Sequence, residues 1–286
     1  MNRFAKKFRQ RKTAVIGLVI LVGLIATAVF APVLAPYDPE DQDLRNRLKP
    51  PGTSDADGLV HILGTDHLGR DVLSRSIYGA RLSLSVGVSA VLIGGTIGLV
   101  VGLMSGYSDG PVDAILMRAV DVQLAFPFML LALTIVAILG PSILNVVLVL
   151  AVTSWTAYAK VVRSSVLSVK KQIYVEAAQA IGASRWRIVF LHILPNILSP
   201  FIVVATFQVS RLIITESSLS FLGLGVPTDI ATWGGMLSDG REYLTDAWWI
   251  AVFPGIMLLL ASLSINFVGD GIRDAMDPKE LIVVKE

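Results

Sequence analysis

Apolar residues in this chain rarely alternate with polar ones; they run together for stretches the length of a bilayer crossing. Residues 14–34 carry no charge, and neither do residues 82–107 or 122–159. A helix needs about 20 apolar residues to cross the hydrocarbon core. The first two runs therefore predict one span each. The third is too long for one crossing and is interrupted at Gly140-Pro141, which predicts two helices joined by a tight turn. Residues 197–222 predict a fifth span that holds two charges, Arg211 and Glu216, and residues 247–269 predict a sixth. Six crossings return both termini to one side. Inside the second span Gly94, Gly98, Gly102 and Gly106 recur at every fourth position, a ridge suited to close helix contact within the chain or, alternatively, between subunits.

The polar segments between these runs differ in sign. Arg3, Lys6, Lys7, Arg9, Arg11 and Lys12 precede the first span with no acid among them, and residues 160–196 carry six bases against the single acid Glu176. Basic loops stay in the cytoplasm, so both segments are expected there. Residues 223–246 hold only Arg241 against Asp229, Asp239, Glu242 and Asp246, which suits the outer side. Residues 36–77, with eight acids and five bases, lie outside by counting spans. The expected organisation is an arm and first helix (1–35), an extracytoplasmic segment (36–77), a five-helix core (78–269) enclosing a cytoplasmic loop (160–196), and a cytoplasmic tail (270–286). The basic arm and first run also resemble a cleavable leader. That run exceeds a usual leader core, and residues 32–36 lack a small-x-small cleavage pattern, so retention is expected.

The loop 160–196 has helical periodicity instead of linker composition. Ile173, Ala177, Ala180 and Ile181 share one helical face, Gly182 stops that helix, and Ser184 is placed to cap a second one bearing Ile188, Leu191 and Leu194. Pro195-Asn196 is expected to end the second helix. The product is a short helix with a small-residue surface. Periodicity alone leaves two readings open: a helix lying on the bilayer, or one laid into a groove of another protein.

Composition sharpens the class. Only 16% of the 286 residues are charged, against about a quarter in soluble domains, and mean hydropathy is +0.70, which together describe a membrane protein. Absence of cysteine removes thiolate metal sites, disulfides and cysteine nucleophiles. No Gly-Lys pair occurs, so the chain lacks a phosphate-binding loop and any ATP-driven step needs another polypeptide. The three histidines, His61, His67 and His192, lie outside the spans, which leaves an intramembrane Ser-His hydrolase without a base. Asp66 beside His67 is too small a cluster to assign a metal. A net charge of +2 gathered in loops and arm gives no reason to expect nucleic acid.

Glu176-Ala177-Ala178 followed by Gly182-Ala183-Ser184, Ile188, His192 and Leu194-Pro195-Asn196 resembles the EAA loop of ATP-binding-cassette importer permeases. Gly64-Thr65-Asp66, Gly69-Arg70-Asp71, Ser74-Arg75, Tyr78-Gly79-Ala80-Arg81 and Ser83-Leu84 are similar to the segment before the second span in the dipeptide and oligopeptide subfamily. Ser220-Phe221-Leu222-Gly223-Leu224-Gly225, Trp233-Gly234, Gly269-Asp270-Gly271, Arg273-Asp274 and Asp277-Pro278 extend the likeness to its C-type subunit, over nearly the whole chain. The resemblance implies an all-α integral membrane protein of the MetI-like permease fold, with six transmembrane helices, in a bacterial or archaeal inner membrane. It also implies a coupling helix whose Glu176, Ala177, Ala178, Gly182, Ala183 and Ser184 meet an ATPase. The implied partners are a second homologous permease subunit, two ATPase subunits that bind ATP and Mg, and an external substrate-binding protein. The chain itself needs no cofactor. Peptides are the implied substrate, with glutathione or nickel as alternatives in the same architecture; a secondary transporter would need its own coupling-ion site, and a channel would need no coupling helix.

Charges inside a span are costly unless paired or wet. Counting from residue 197, Arg211 lies roughly 21 Å along the fifth helix and Glu216 roughly 28 Å. Arg211 has two readings: a structural ion pair with Glu216 or Asp121, or, with Glu216, a lining of the substrate path. Arg118 and Asp121 are expected at the cytoplasmic entrance of the third span, solvated or paired at a gate.

Overall fold

In the computed structural model, residues 3–276 are described apart from 56, 57, 109 and 228; Asp277-Pro278 and the tail beyond them lie outside the described residues. In chain order the helices are α1 (Arg3–Gln10), α2 (Lys12–Val29), α3 (Ala31–Leu34), α4 (Val72–Tyr107), α5 (Pro111–Leu124) and α6 (Phe128–Leu139). They continue with α7 (Ile143–Lys170), α8 (Ile173–Ala180), α9 (Arg185–Ile188), α10 (Leu194–Phe221), α11 (Trp233–Arg241) and α12 (Trp249–Met276). Two-residue strands β1 (Thr53–Ser54) and β2 (Val60–His61) pair antiparallel in the segment before α4. Five helical stretches are long and apolar enough to span a membrane, and α5 with α6 makes a sixth.

That sixth crossing is not the straight helix expected. α5 and α6 meet at an angle of 84°. Pro127 has no amide hydrogen to donate and biases Phe126 before it away from helical torsions, so the helix breaks there and restarts at Phe128. Arg118 and Asp121 consequently sit on α5, before the bend. The turn at Gly140-Pro141 falls between α6 and α7 as the sequence indicates. Pro195-Asn196, by contrast, ends nothing. α9 passes through a π-helical turn, Val189–Ile193, directly into α10, and Pro195, with no N–H to donate, stands immediately after that turn, where the helical bonding pattern already shifts. At the segment boundaries, α4 already begins at Val72 and α12 runs on to Met276.

The glycine ridge packs inside the chain. A Cβ added at Gly94 would lie 2.8 Å from the Ala151 carbonyl oxygen, at Gly102 2.6 Å from Val162 Cβ, and at Gly106 2.7 Å from Val166 Cβ. Contacts advance together along both helices, so α4 and α7 run parallel with backbones nearly touching, the arrangement small residues permit in lipid. Asp113, near the start of α5, accepts from Arg163 of α7 at 2.7 and 2.6 Å and from Ser105 of α4, tying the bent crossing to this pair. α2 lies against α12, where Gly17 meets Phe267 and Ser264. Arg11 pairs with Asp274 at 2.6 Å, which brings the amino-terminal arm and the end of α12 to one end of the bundle.

Candidate coupling surface and translocation path

α8 leaves the end of α7 after a two-residue break, Lys171-Gln172, and is held by a buried seam. Val175 packs with Val162, Val166, Ile188, Ile193 and Ile197, all buried. Ala178 faces the same way and is 9% exposed, so it contributes to this seam and not to the outer surface. The face of Ile173, Ala177, Ala180 and Ile181 points outward, with Ile173 84% and Ile181 86% exposed. Glu176 is exposed beside it. Gly182 adopts φ +80°, a torsion that strains any residue with a Cβ. Open space surrounds the position, so its requirement is conformational only. Ala183 is half-buried, and the Ser184 hydroxyl accepts from the Arg187 amide at 3.4 Å as the cap of α9. Among the described residues nothing covers the mostly apolar outward face of α8.

Arg211 is exposed on α10, its guanidinium 4.9 Å from the centre of the Phe128 ring at the start of α6. It pairs with neither carboxylate considered above. Asp121 lies 3.2 Å from Lys160, and Glu216 is fully buried on the other side of α10. Serine hydroxyls surround the Glu216 carboxylate: Ser220 donates at 2.8 Å, Ser83 of α4 at 3.2 Å and Ser217 at 3.4 Å. Glu216 and Arg211, five residues apart, therefore face different environments. Sequence separation suggested a pair; the helical rotation between them forbids one. In the elbow of α5 and α6 lies an open concavity of about 610 Å³, lined by Arg118, Gln123, Phe126, Leu131, Ile135 and Val152. Gln123 fixes its wall, donating to the Val152 carbonyl and accepting from Trp155 Nε1, both at 2.7 Å.

At the opposite end the motifs before the second span meet those after the fifth. Asp66 accepts from Arg70 Nε at 2.6 Å, and Arg70 reaches Asp239 of α11 at 3.1 Å. Arg75, 1% exposed, lies 3.6 Å from Asp66 and donates to the Pro39 carbonyl at 3.1 Å. Asp71 caps α4 through the Ser74 amide at 2.7 Å and holds His61 at 2.9 Å. Trp233 Nε1 donates to the Ser76 carbonyl and Trp249 Nε1 to the Thr65 carbonyl. Ligand-type atoms of Asp66, His67 and Asp239 fall within 4.8 Å of one another, but guanidinium groups already lie against both carboxylates and supply the positive charge a cation would bring. Burial holds the Asp239 carboxyl above the usual carboxylate range, against the pull of His67, Arg70 and Arg75.

Residues 98–281 match the family described as binding-protein-dependent transport system inner membrane component, and residues 1–51 match the N-terminal transmembrane domain of oligopeptide transport permease C. The di/tripeptide transport system permease protein DppC of Pseudomonas aeruginosa (strain UCBPP-PA14) is 43% identical over 279 residues, 98% of this chain and 92% of that protein. The glutathione transport system permease protein GsiD of Pectobacterium atrosepticum is 42% identical over 278 residues, covering 97% and 91%. Among solved structures, an inward-facing MetNI methionine ABC transporter chain aligns with a TM-score of 0.59 at 20% identity, covering 72% of this chain and 97% of that one, which shows the shared fold. The outward apolar face of α8, the all-helical bundle and these matches converge: the chain belongs to the family of binding-protein-dependent transport system inner membrane components, the non-enzymatic permease subunits of ATP-binding-cassette importers.

Proposed function

We propose that this chain is a permease subunit of a peptide importer in which α8 docks on an ATPase and Arg211 lines the substrate route. The supporting observation is the uncovered face of α8, since a surface with Ile173 and Ile181 almost fully exposed marks an interaction site in a folded protein. ATP and Mg belong to two ATPase subunits, a second homologous permease subunit completes the path, and an external binding protein delivers substrate. The basic arm and the loop bearing α8 face the cytoplasm of a bacterial or archaeal cell. ATP drives the cycle only through contacts that differ between two states of the bundle, and α8 is where those contacts are made. Arg211, exposed beside Phe128, is available to an anionic group of the substrate or of the partner permease. Glu216 stands behind that route as a tie between α4 and α10.

The names of the relatives favour di- and tripeptides, and the 42% identical glutathione permease supports glutathione as the second reading. The ligand bound by the cognate binding protein separates the two. The docking reading is tested by Ile173→Asp combined with Ile181→Asp. The doubly substituted subunit is expected to insert and to pair with its homologous partner, but to lose the ATPase during affinity purification. Retention of the ATPase at the wild-type level would withdraw α8 as the docking surface.

A further inference from the structure

We propose that the groove between the end of α4 and the α9 segment binds an anionic phospholipid, with an acyl chain along its length and the phosphate at Arg185. The groove encloses about 600 Å³, within the range of small-molecule sites. Leu99, Leu103 and Met104 of α4 form one wall, and Val189, Phe190 and Leu194 form the other.

Its two walls change character in the same direction. Along α4 the lining passes from Leu99 and Leu103 to Tyr107 and Ser108; along the facing segment it passes from Leu194 and Phe190 to Trp186 and Arg185. The required occupant is apolar over most of its length and anionic at one end. Arg185 is exposed at that end and makes no ion pair among the described residues. Lys170 adds a second cation at the rim, donating to the Tyr107 carbonyl at 3.3 Å and lying 5.6 Å from the centre of its ring. Trp186, 74% exposed and stacked on Phe190 at 5.9 Å, is the residue type found where headgroups meet hydrocarbon. A free phosphate would satisfy Arg185 and leave the apolar walls without an occupant. A neighbouring apolar helix would cover the walls and leave Arg185 without an anion. An anionic lipid satisfies both. The inference rests on the chain spanning a bilayer, not on which leaflet the loop faces, so a reversed topology in fusion experiments would leave it standing.

The test uses the assembled transporter in phosphatidylcholine nanodiscs doped with brominated phosphatidylglycerol or, in parallel, brominated phosphatidylcholine. Trp186 fluorescence is taken as the difference between wild type and Trp186→Phe. The glycerol lipid is expected to quench it about fivefold more strongly, the preference one base near an anionic headgroup supplies. Arg185→Gln should diminish that preference, and inorganic phosphate should not restore the fluorescence. Equal quenching in the wild type, quenching by neither lipid, recovery with phosphate, or an undiminished preference in Arg185→Gln would each overturn the assignment.

Discussion

Where residues 36–77 meet α11, charged side chains face one another; at α8 and α9 they face outward. Asp66, Arg70, Arg75 and Asp239 close a network in which the guanidinium groups are nearly inaccessible. Glu176, Arg185 and Arg187 at the other end are exposed, in the company of Ile173 and Ile181. The charges of the first region are met within one chain, whereas the second is the surface proposed to meet a partner. Unmet charge beside unmet apolar surface is what distinguishes a surface awaiting a partner from one that stabilises the subunit alone.

The contrast breaks most strongly at Arg75. Arg75→Met should lower the stability of the detergent-solubilised subunit by about 3–5 kcal/mol, because removing one partner leaves buried carboxylates short of compensation. Thermal unfolding followed by size-exclusion chromatography measures this, and an unchanged midpoint would show that Arg70 alone suffices. Gly182→Val tests the other end. Forcing a β-branched residue to φ +80° costs about 1–2 kcal/mol locally, too little to unfold the bundle, yet it displaces α8. Transport should be lost while the unfolding midpoint moves by only a few degrees; transport at the wild-type rate would place α8 outside the coupling route.

The smallest effect is in pH. The folded state holds the Asp239 proton to higher pH than the unfolded chain does, so the stability this group contributes is complete in acid and declines as pH rises through its folded-state pKa. The window opens at the ordinary value of 3.8 and closes at the raised one. Asp239→Asn should flatten the stability profile within that window and leave it parallel to wild type at neutral pH. A slope unchanged in acid would assign the proton elsewhere.

Spans were legible because the cost of exposing charge to hydrocarbon is read directly from run length. The glycine ridge was equally plain, and only its intramolecular partner α7 required coordinates. Run length carries no direction, however, so the 84° bend at Pro127 escaped it. Gly110-Pro111 with Asp113 two residues on was the available signal that a separate helix starts before the apolar run. Pro195 was misread as a stop because a proline that ends one helix and a proline that opens the next look alike in sequence. The partners of Arg211 were illegible for a different reason. Five residues along a helix rotate a side chain well away from its neighbour, and which side is buried depends on α4 and α6. Ala178 follows the same logic: its smallness suited an outer docking face, but Val175 on the same side already committed that face inward.

The contact between α4 and α7 also has a mechanical meaning. Side chains that interlock can slide past one another by changing rotamer; backbones that touch at Gly94, Gly102 and Gly106 have no such slack. α8 hangs from one member of this pair, and the network of Asp66, Arg70, Arg75 and Asp239 is anchored next to Asp71, at the start of the other. Without a slip plane between them, the two helices form a single stiff strut, and on the docking proposed for α8 a push there would be carried along α4 and α7 together.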